Sequence, residues 1–158
     1  MNIKYNSLCL KYYKGGVFMF KEKDLRKVAL GIAIKDNKVL VEKGHDKVEQ
    51  IDFYRCLGGG IEENETPLEA VKREFKEELN IDIIVNKELG TIDSHFVYNG
   101  KNGHELVYLF DITIPAESLK ENYTILDNNI ASPGEWISID EFKSGEKIIF
   151  PKGIIEYL

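Results

Sequence analysis

The pattern of apolar and polar positions along the chain changes period twice. Residues 27–34 (KVALGIAI) and 38–43 (KVLVEK) are apolar runs rich in β-branched side chains. Lys35, Asp36 and Asn37 join them, a composition that predicts a β-hairpin. A polar stretch carrying His45, Asp46 and Lys47 follows, then a short strand over residues 53–57 that runs into a loop of Gly58, Gly59 and Gly60. Residues 67–79 switch to helical periodicity. Beyond them, strands are expected over residues 81–85, 89–98 and 104–114, the last two linked by the turn-rich NGKNG, and a shorter one over residues 136–139. Two further helices are expected, over residues 140–143 and after Pro151. Strands mixed with a few helices predict an α/β (α+β) sandwich around a mixed sheet.

The central helix is specified at both ends. Thr66 stands at the N-cap, Pro67 at the first helical position, and Glu69 three residues after the cap. Asn80, a residue that tolerates left-handed backbone, predicts the exit. At about 100° per residue, Leu68, Val71, Phe75 and Leu79 share one stripe and are assigned to the core. Glu74, Glu77 and Glu78 then crowd one flank beside that stripe. Like charges at these spacings cost about 0.2–0.5 kcal/mol per pair. Acids in the last turns also oppose the helix dipole, by about 0.3–1 kcal/mol each. Arg73 can pair with Glu69 or Glu77, whereas Glu74 and Glu78 have no cationic neighbour at helical spacing. A solvated acidic face would account for EFKEEL by itself. The triple glycine just upstream, which allows backbone to approach a ligand closely, points instead to a bound cation. Carboxylate oxygens completed by water and phosphate are the ligands Mg²⁺ prefers.

Gly59, Glu65 after five residues, and Arg73-Glu74-Phe75-Lys76-Glu77-Glu78-Leu79-Asn80-Ile81 after seven more resemble the Nudix box of the MutT-like hydrolases, G-x5-E-x7-R-E-U-x-E-E-x-G-U, where U is a bulky apolar residue. Asn80 stands where the pattern has its last glycine. The stretch around Trp136, SPGEWISIDEF, resembles the family's C-terminal strand and helix. The resemblance implies the Nudix α/β/α sandwich and Mg²⁺- or Mn²⁺-dependent hydrolysis of a nucleoside diphosphate linked to another group, such as a dinucleoside polyphosphate or nucleotide sugar. A house-cleaning nucleoside triphosphate pyrophosphatase is the alternative. Nucleotide-sensing modules of the family that do not cleave lose box carboxylates, and all are retained here. Carried over residue by residue, Glu74, Glu77 and Glu78 are the metal ligands together with the Gly58 carbonyl. Arg73 orients Glu74 or Glu77, and Glu65 holds the loop or a metal-bound water.

The box fixes no general base. Glu105, opening a strand after NGKNG, is the first candidate for an extra catalytic carboxylate, and Glu135 beside Trp136 is the second. Arg55, shortly before the glycines, is a candidate phosphate ligand. Phe53, Tyr54, Phe96 and Tyr98 are candidates to stack on a base, against the ordinary reading of core or cross-strand aromatics. Tyr98 also lies about where the family's dinucleoside-polyphosphate hydrolases carry a tyrosine. His45 and His95 show no partner pattern and read as surface or satisfied strand residues.

Composition narrows the partners. A chain of 158 residues, 43% of them hydrophobic, suits one domain with one sizeable core. A net charge of −6 disfavours a long nucleic acid or an anionic membrane, while a small metal-chelated nucleotide remains compatible. Cys9 and Cys56 are far apart and lack metal-ligand spacing, which fits a reducing cytoplasm. Lys11 and Lys14 interrupt the apolar start of the chain, and no signal-type cleavage site follows. The patterned chain begins after Met19, so residues 1–18 read as an extension upstream of an alternative start and residues 19–158 as a single domain. Many relatives dimerise, so a homodimer is compatible with the resemblance.

Overall fold

A computed structural model describes residues 25–158; the expectations for residues 1–18, Cys9 and Met19 lie outside the described residues. The expected hairpin is present as β1 (Leu25–Lys35) and β2 (Lys38–Asp46). Asp36 and Asn37 turn it with φ of 50° and 58°, the left-handed pair that matches the twist of a two-residue hairpin.

β1 and β2 pair only at Ile34–Val39 and Lys35–Lys38 before they splay. β3 (Ile51–Gly60) enters between them, antiparallel to β2 from Asp46–Ile51 to Val41–Cys56 and antiparallel to β1 from Gly31–Leu57 to Val28–Gly60. Three mutually antiparallel pairings cannot be met by straight strands, so the sheet turns a corner where β3 changes partner. Gly58 stands just after that change with φ of +139°, and a Cβ there would lie 2.1 Å from the Ala29 carbonyl oxygen. The three glycines therefore belong to a strand, where the sequence suggested a loop.

The box helix α1 (Pro67–Leu79) follows. β4 (Ile84–Tyr98) and β5 (Lys101–Thr113) form a long hairpin, and then come β6 (Asn122–Asp127), β7 (Ile130–Ser138), α2 (Ile139–Lys143) and β8 (Ile149–Phe150). The strand order is β4-β5-β1-β3-β2-β7-β6, with β8 on β3. β1 and β5 run parallel, as do β3 and β8, so the sheet is mixed as expected. One core joins α1 through Ala70, Val71 and Phe75 to Leu57, Ile112 and Ile125. The other joins Phe142 and Ile154 to Val28, Cys56 and Val107. The layers are thus α/β/α.

Several boundaries differ from expectation. Residues 81–85 and 89–98 are not two strands: β4 is continuous, with register shifts between Val85 and Lys87 and between Glu88 and Gly90 that the sequence reading took for a break. Ile81 and Ile83 are buried although they precede the strand. β6 and β8 were not anticipated, and β7 starts six residues before the expected 136, at Ile130. Ile139 opens α2 behind a Ser138 cap instead of ending a strand, and the C-terminal helix is a 3-10 turn over Lys152–Tyr157. Leu68, assigned to the core stripe, is exposed, and Ala70 takes the buried place. Buried Asp46 accepts from the amides of Val48 (2.8 Å), Glu49 (3.0 Å) and Asn99 (3.0 Å), tying the β2–β3 turn to the tip of the β4–β5 hairpin. Among the described residues, no helix is long and apolar enough to cross a membrane.

Candidate active site

The site is organised by the two ends of α1. Thr66 Oγ1 accepts from the Glu69 amide at 3.2 Å while Glu69 accepts from the Thr66 amide at 2.8 Å, closing the capping box. Asn80 takes the left-handed exit (φ 55°, ψ 38°), and its amide reaches the Lys76 carbonyl at 3.0 Å. Asparagine thus supplies the exit conformation that the box pattern assigns to glycine.

Arg73 gathers the acidic side chains. Its Nε and Nη2 donate to the two oxygens of Glu65 at 2.7 and 3.0 Å, a bidentate grip. Nη1 reaches Glu74 at 3.0 Å and Glu77 at 3.1 Å, and Nη2 also reaches the Gly60 carbonyl at 2.9 Å. Glu69, expected as a possible partner, instead serves the cap. Glu74, expected to lack a cation, has one because Arg73 bends back over its own neighbour in the chain. Gly59 explains the position of that carboxylate: a Cβ at residue 59 would stand 2.3 Å from Glu74 Oε1. Glycine at this point of the box lets an acid side chain lie against strand backbone.

Glu78 is in a different state. Burial pushes its carboxyl up to about 8, and the nearby charges of Glu42, Glu74, Asp127 and Glu77 push the same way. No cation contributes. Glu74 is also raised, by burial first, with Arg73 opposing. Glu42 is raised by burial and by Asp127, with Arg55 opposing. Five carboxylates therefore share one electrostatic environment, two of which, Glu42 and Asp127, the sequence reading missed. Glu42 had a usable signal: it shares parity in β2 with Leu40, which is buried against α1, so an acid at that place faces inward. Asp127 ends β6 at a hairpin tip, and no local pattern marks it. Such a donor set, all oxygen and under-neutralised, fits a hard divalent cation.

A second charged unit carries the opposite balance. Glu105 is buried and directly opposite Arg26 in the parallel β1–β5 register. Its Oε1 accepts from Arg26 Nη1 at 3.4 Å and its Oε2 from Arg55 Nη2 at 3.1 Å. Glu105, the candidate for an extra catalytic carboxylate, has both oxygens engaged by guanidiniums. Arg55, opposite Glu42 in the β2–β3 register, connects this unit to the carboxylates of the box.

The remaining candidates separate. Tyr98 is exposed and packs edge-on against Phe53 at 5.7 Å, and Phe53 also meets Phe150 at 5.6 Å. Tyr54 is buried against Phe142, so it is not presented to a base, and the half-buried Phe96 lies over Gly103. Glu135 lies on β7 opposite Val41 and Asn122, and Trp136 donates to the Lys120 carbonyl at 2.9 Å. Cys56 is buried and free. His45 is an exposed strand residue, as expected, with its Nδ1 2.8 Å from Asp52 Oδ1. His95 is likewise an exposed strand residue, and it stacks on His104.

Sandwich, corner strand and acid-flanked helix together define a metal-assisted hydrolase class. The NUDIX domain family matches residues 25–158, and the chain belongs to that family, among its MutT-like hydrolases, a class of pyrophosphatase enzymes. It is similar to the 8-oxo-dGTP diphosphatase of Proteus vulgaris, 35% identical over 49% of this chain and 70% of the relative. It is similar, too, to the 8-oxo-dGTP diphosphatase of Buchnera aphidicola subsp. Schizaphis graminum, 35% identical over 36% of this chain and only 44% of that protein's length. The MutT protein of Methanosarcina mazei Go1 shares the fold, with a TM-score of 0.59 at 16% identity, covering 87% of this chain and 95% of the other.

Proposed function

We propose that this chain is a cytoplasmic, Mg²⁺- or Mn²⁺-dependent hydrolase that cleaves a phosphoanhydride bond in a nucleoside diphosphate linked to another group. The observation that carries the reading is the half-buried, under-neutralised carboxylate group around Glu78, with Glu74 lying against Gly59 at the strand corner. Glu74, Glu77 and Glu78, with the Gly58 carbonyl, would hold the cation. When bound, it neutralises phosphate charge and lowers the pKa of an attacking water.

The chain's own residues position and orient. Arg73 fixes Glu74 and Glu77 from one side, and Glu65 fixes Arg73 from the other. Arg55 contacts a substrate phosphate, and Glu105 acts by holding Arg55 and Arg26 in place. Water oxygen forms a bond to phosphorus, the phosphoanhydride P–O bond breaks, and the leaving phosphate oxygen departs with the electron pair. The released proton goes to solvent or to a carboxylate of the group. Tyr98, exposed beside Phe53, is the reading's candidate for contact with the nucleoside.

A second reading, hydrolysis of a nucleoside triphosphate to a monophosphate and pyrophosphate, is favoured by the names of the two sequence relatives. One experiment separates the two. The purified chain is incubated with Mg²⁺ and a panel of nucleoside triphosphates including 8-oxo-dGTP, dinucleoside polyphosphates and nucleotide sugars, and the phosphorus-containing products are identified. Mononucleotide plus pyrophosphate from triphosphates alone selects the second reading. Tight binding of a panel member without turnover of any would overturn the hydrolase.

A further inference from the structure

The β4–β5 hairpin carries a second donor group that the box does not involve. His95 and His104 are directly opposite each other in the antiparallel register, and Asp93 lies two residues before His95, so all three share one face of the ribbon. The two imidazoles stack with centroids 3.9 Å apart and planes 18° from parallel. Nε2 of His104 lies 2.6 Å from Asp93 Oδ1, and Nε2 of His95 lies 3.5 Å from the same oxygen. One donor atom from each residue lies within 4.8 Å of the other two. Among the described residues, no other three such side chains are gathered this closely, the box carboxylates included.

We infer that Asp93, His95 and His104 form a binding site for a borderline divalent transition-metal ion of the Zn²⁺, Co²⁺ or Ni²⁺ type, distinct from the hard-cation site on α1. Two imidazole nitrogens and one carboxylate oxygen are the donors such ions choose, whereas Mg²⁺ favours oxygen ligands and retains its waters. A β-hairpin fixes cross-strand spacing through its ladder, so the donors need little rearrangement to converge. Asp93 and His95 are exposed while the His104 side chain is 17% accessible, which leaves an approach from solvent on one side and packing on the other. Three protein donors leave at least one coordination position to a ligand from outside the trio. His104 and Glu105 are adjacent in β5 and point to opposite faces, so the ion would sit on the face of β5 away from Glu105 and the two arginines it binds. An ordinary stacked histidine pair braced by an aspartate is the competing account, and metal binding distinguishes the two.

The test uses the full chain without a histidine tag, in excess Mg²⁺ to occupy the box site. Titration with Co²⁺ is followed by ligand-field absorption, and stoichiometry is checked by equilibrium dialysis. One equivalent bound with a low-symmetry nitrogen–oxygen spectrum is expected, retained in Glu78→Gln and weakened at least about tenfold in His95→Ala and in Asp93→Asn. Both altered positions are exposed, and circular dichroism confirms that each variant is folded. Absence of Co²⁺ binding in the unaltered chain would overturn the site. Binding of equal strength in His95→Ala and Asp93→Asn, or binding lost only in Glu78→Gln, would overturn it equally.

Discussion

Two charged groups meet across Arg55, and they are unbalanced in opposite senses. On the α1 flank, Glu42, Glu74, Glu77, Glu78 and Asp127 act on one another, and no cation contributes to the state of Glu78. Around Glu105 a single carboxylate serves two guanidiniums, from Arg26 and Arg55. The first arrangement calls for a cation and the second for an anion. On the proposed function, a metal-chelated phosphate would satisfy both. The helix flank alone argues only for a metal, and the arginine pair alone only for an anion.

Removing a ligand charge breaks this comparison most severely. Glu78→Gln is expected to reduce kcat/KM at least about a hundredfold, since even loss of a residue behind a metal ligand costs about ten- to a hundredfold. The same change removes a half-buried carboxyl whose ionisation no cation favours, so at neutral pH and above the metal-free variant should melt at a higher temperature than the unaltered chain. Steady-state kinetics and calorimetry in chelator check the two halves separately. Unchanged hydrolysis would remove Glu78 from the ligand set.

Next in size is the anion side. Arg55→Ala is expected to lower kcat/KM by about ten- to a hundredfold, mostly through KM if the arginine grips phosphate equally in ground and transition states. Glu105→Gln should act less, about tenfold or under, because both arginines remain but lose a charged anchor. A Glu105→Gln variant that loses all turnover with KM unchanged would restore Glu105 to the role of base that its place in the sequence first suggested.

The two groups differ just as much in how far they could be read from sequence. The helix was legible from cap to exit because its signals are local: Thr66, Pro67, Glu69 and Asn80 act within one or two turns. The crowding of Glu74, Glu77 and Glu78 follows from helical period alone. Arg73's reach to Glu65 was not read, because the loop between them must first fold back. The arginine unit depends on contacts 79 and 50 residues apart, Arg26 to Glu105 and Arg55 to Glu105, which no local pattern encodes. The corner in β3 hid in the same way: three glycines look like a loop until two splayed strands claim the same partner. His95 and His104 illustrate the point again, since hairpin register alone makes them neighbours.

The smallest expected effect, and the most direct on the carboxylate side, is the pH dependence of stability without metal. Glu78 is pushed up to about 8 in the folded chain from an ordinary value near 4.5. A raised carboxyl binds a proton in the folded state that the unfolded state has released. Its contribution is therefore fully present below the ordinary value and is lost as pH rises through about 8. Glu65, held low by Arg73, and Asp46, held low chiefly by the Glu49 amide, run the other way. Their stabilisation is present above the ordinary carboxylate range and fades on acidification. The metal-free protein should accordingly be most stable in mildly acidic buffer, with a melting temperature that declines from about pH 5 to about pH 8 and levels off above it. Glu78→Gln should flatten that decline. Saturating Mg²⁺ should reverse it, because a cation binds the ionised carboxylates and stabilises the folded state more as they lose protons. A decline that persists unchanged in Glu78→Gln would place the raised carboxyl elsewhere in the group, with Glu42 the next to replace.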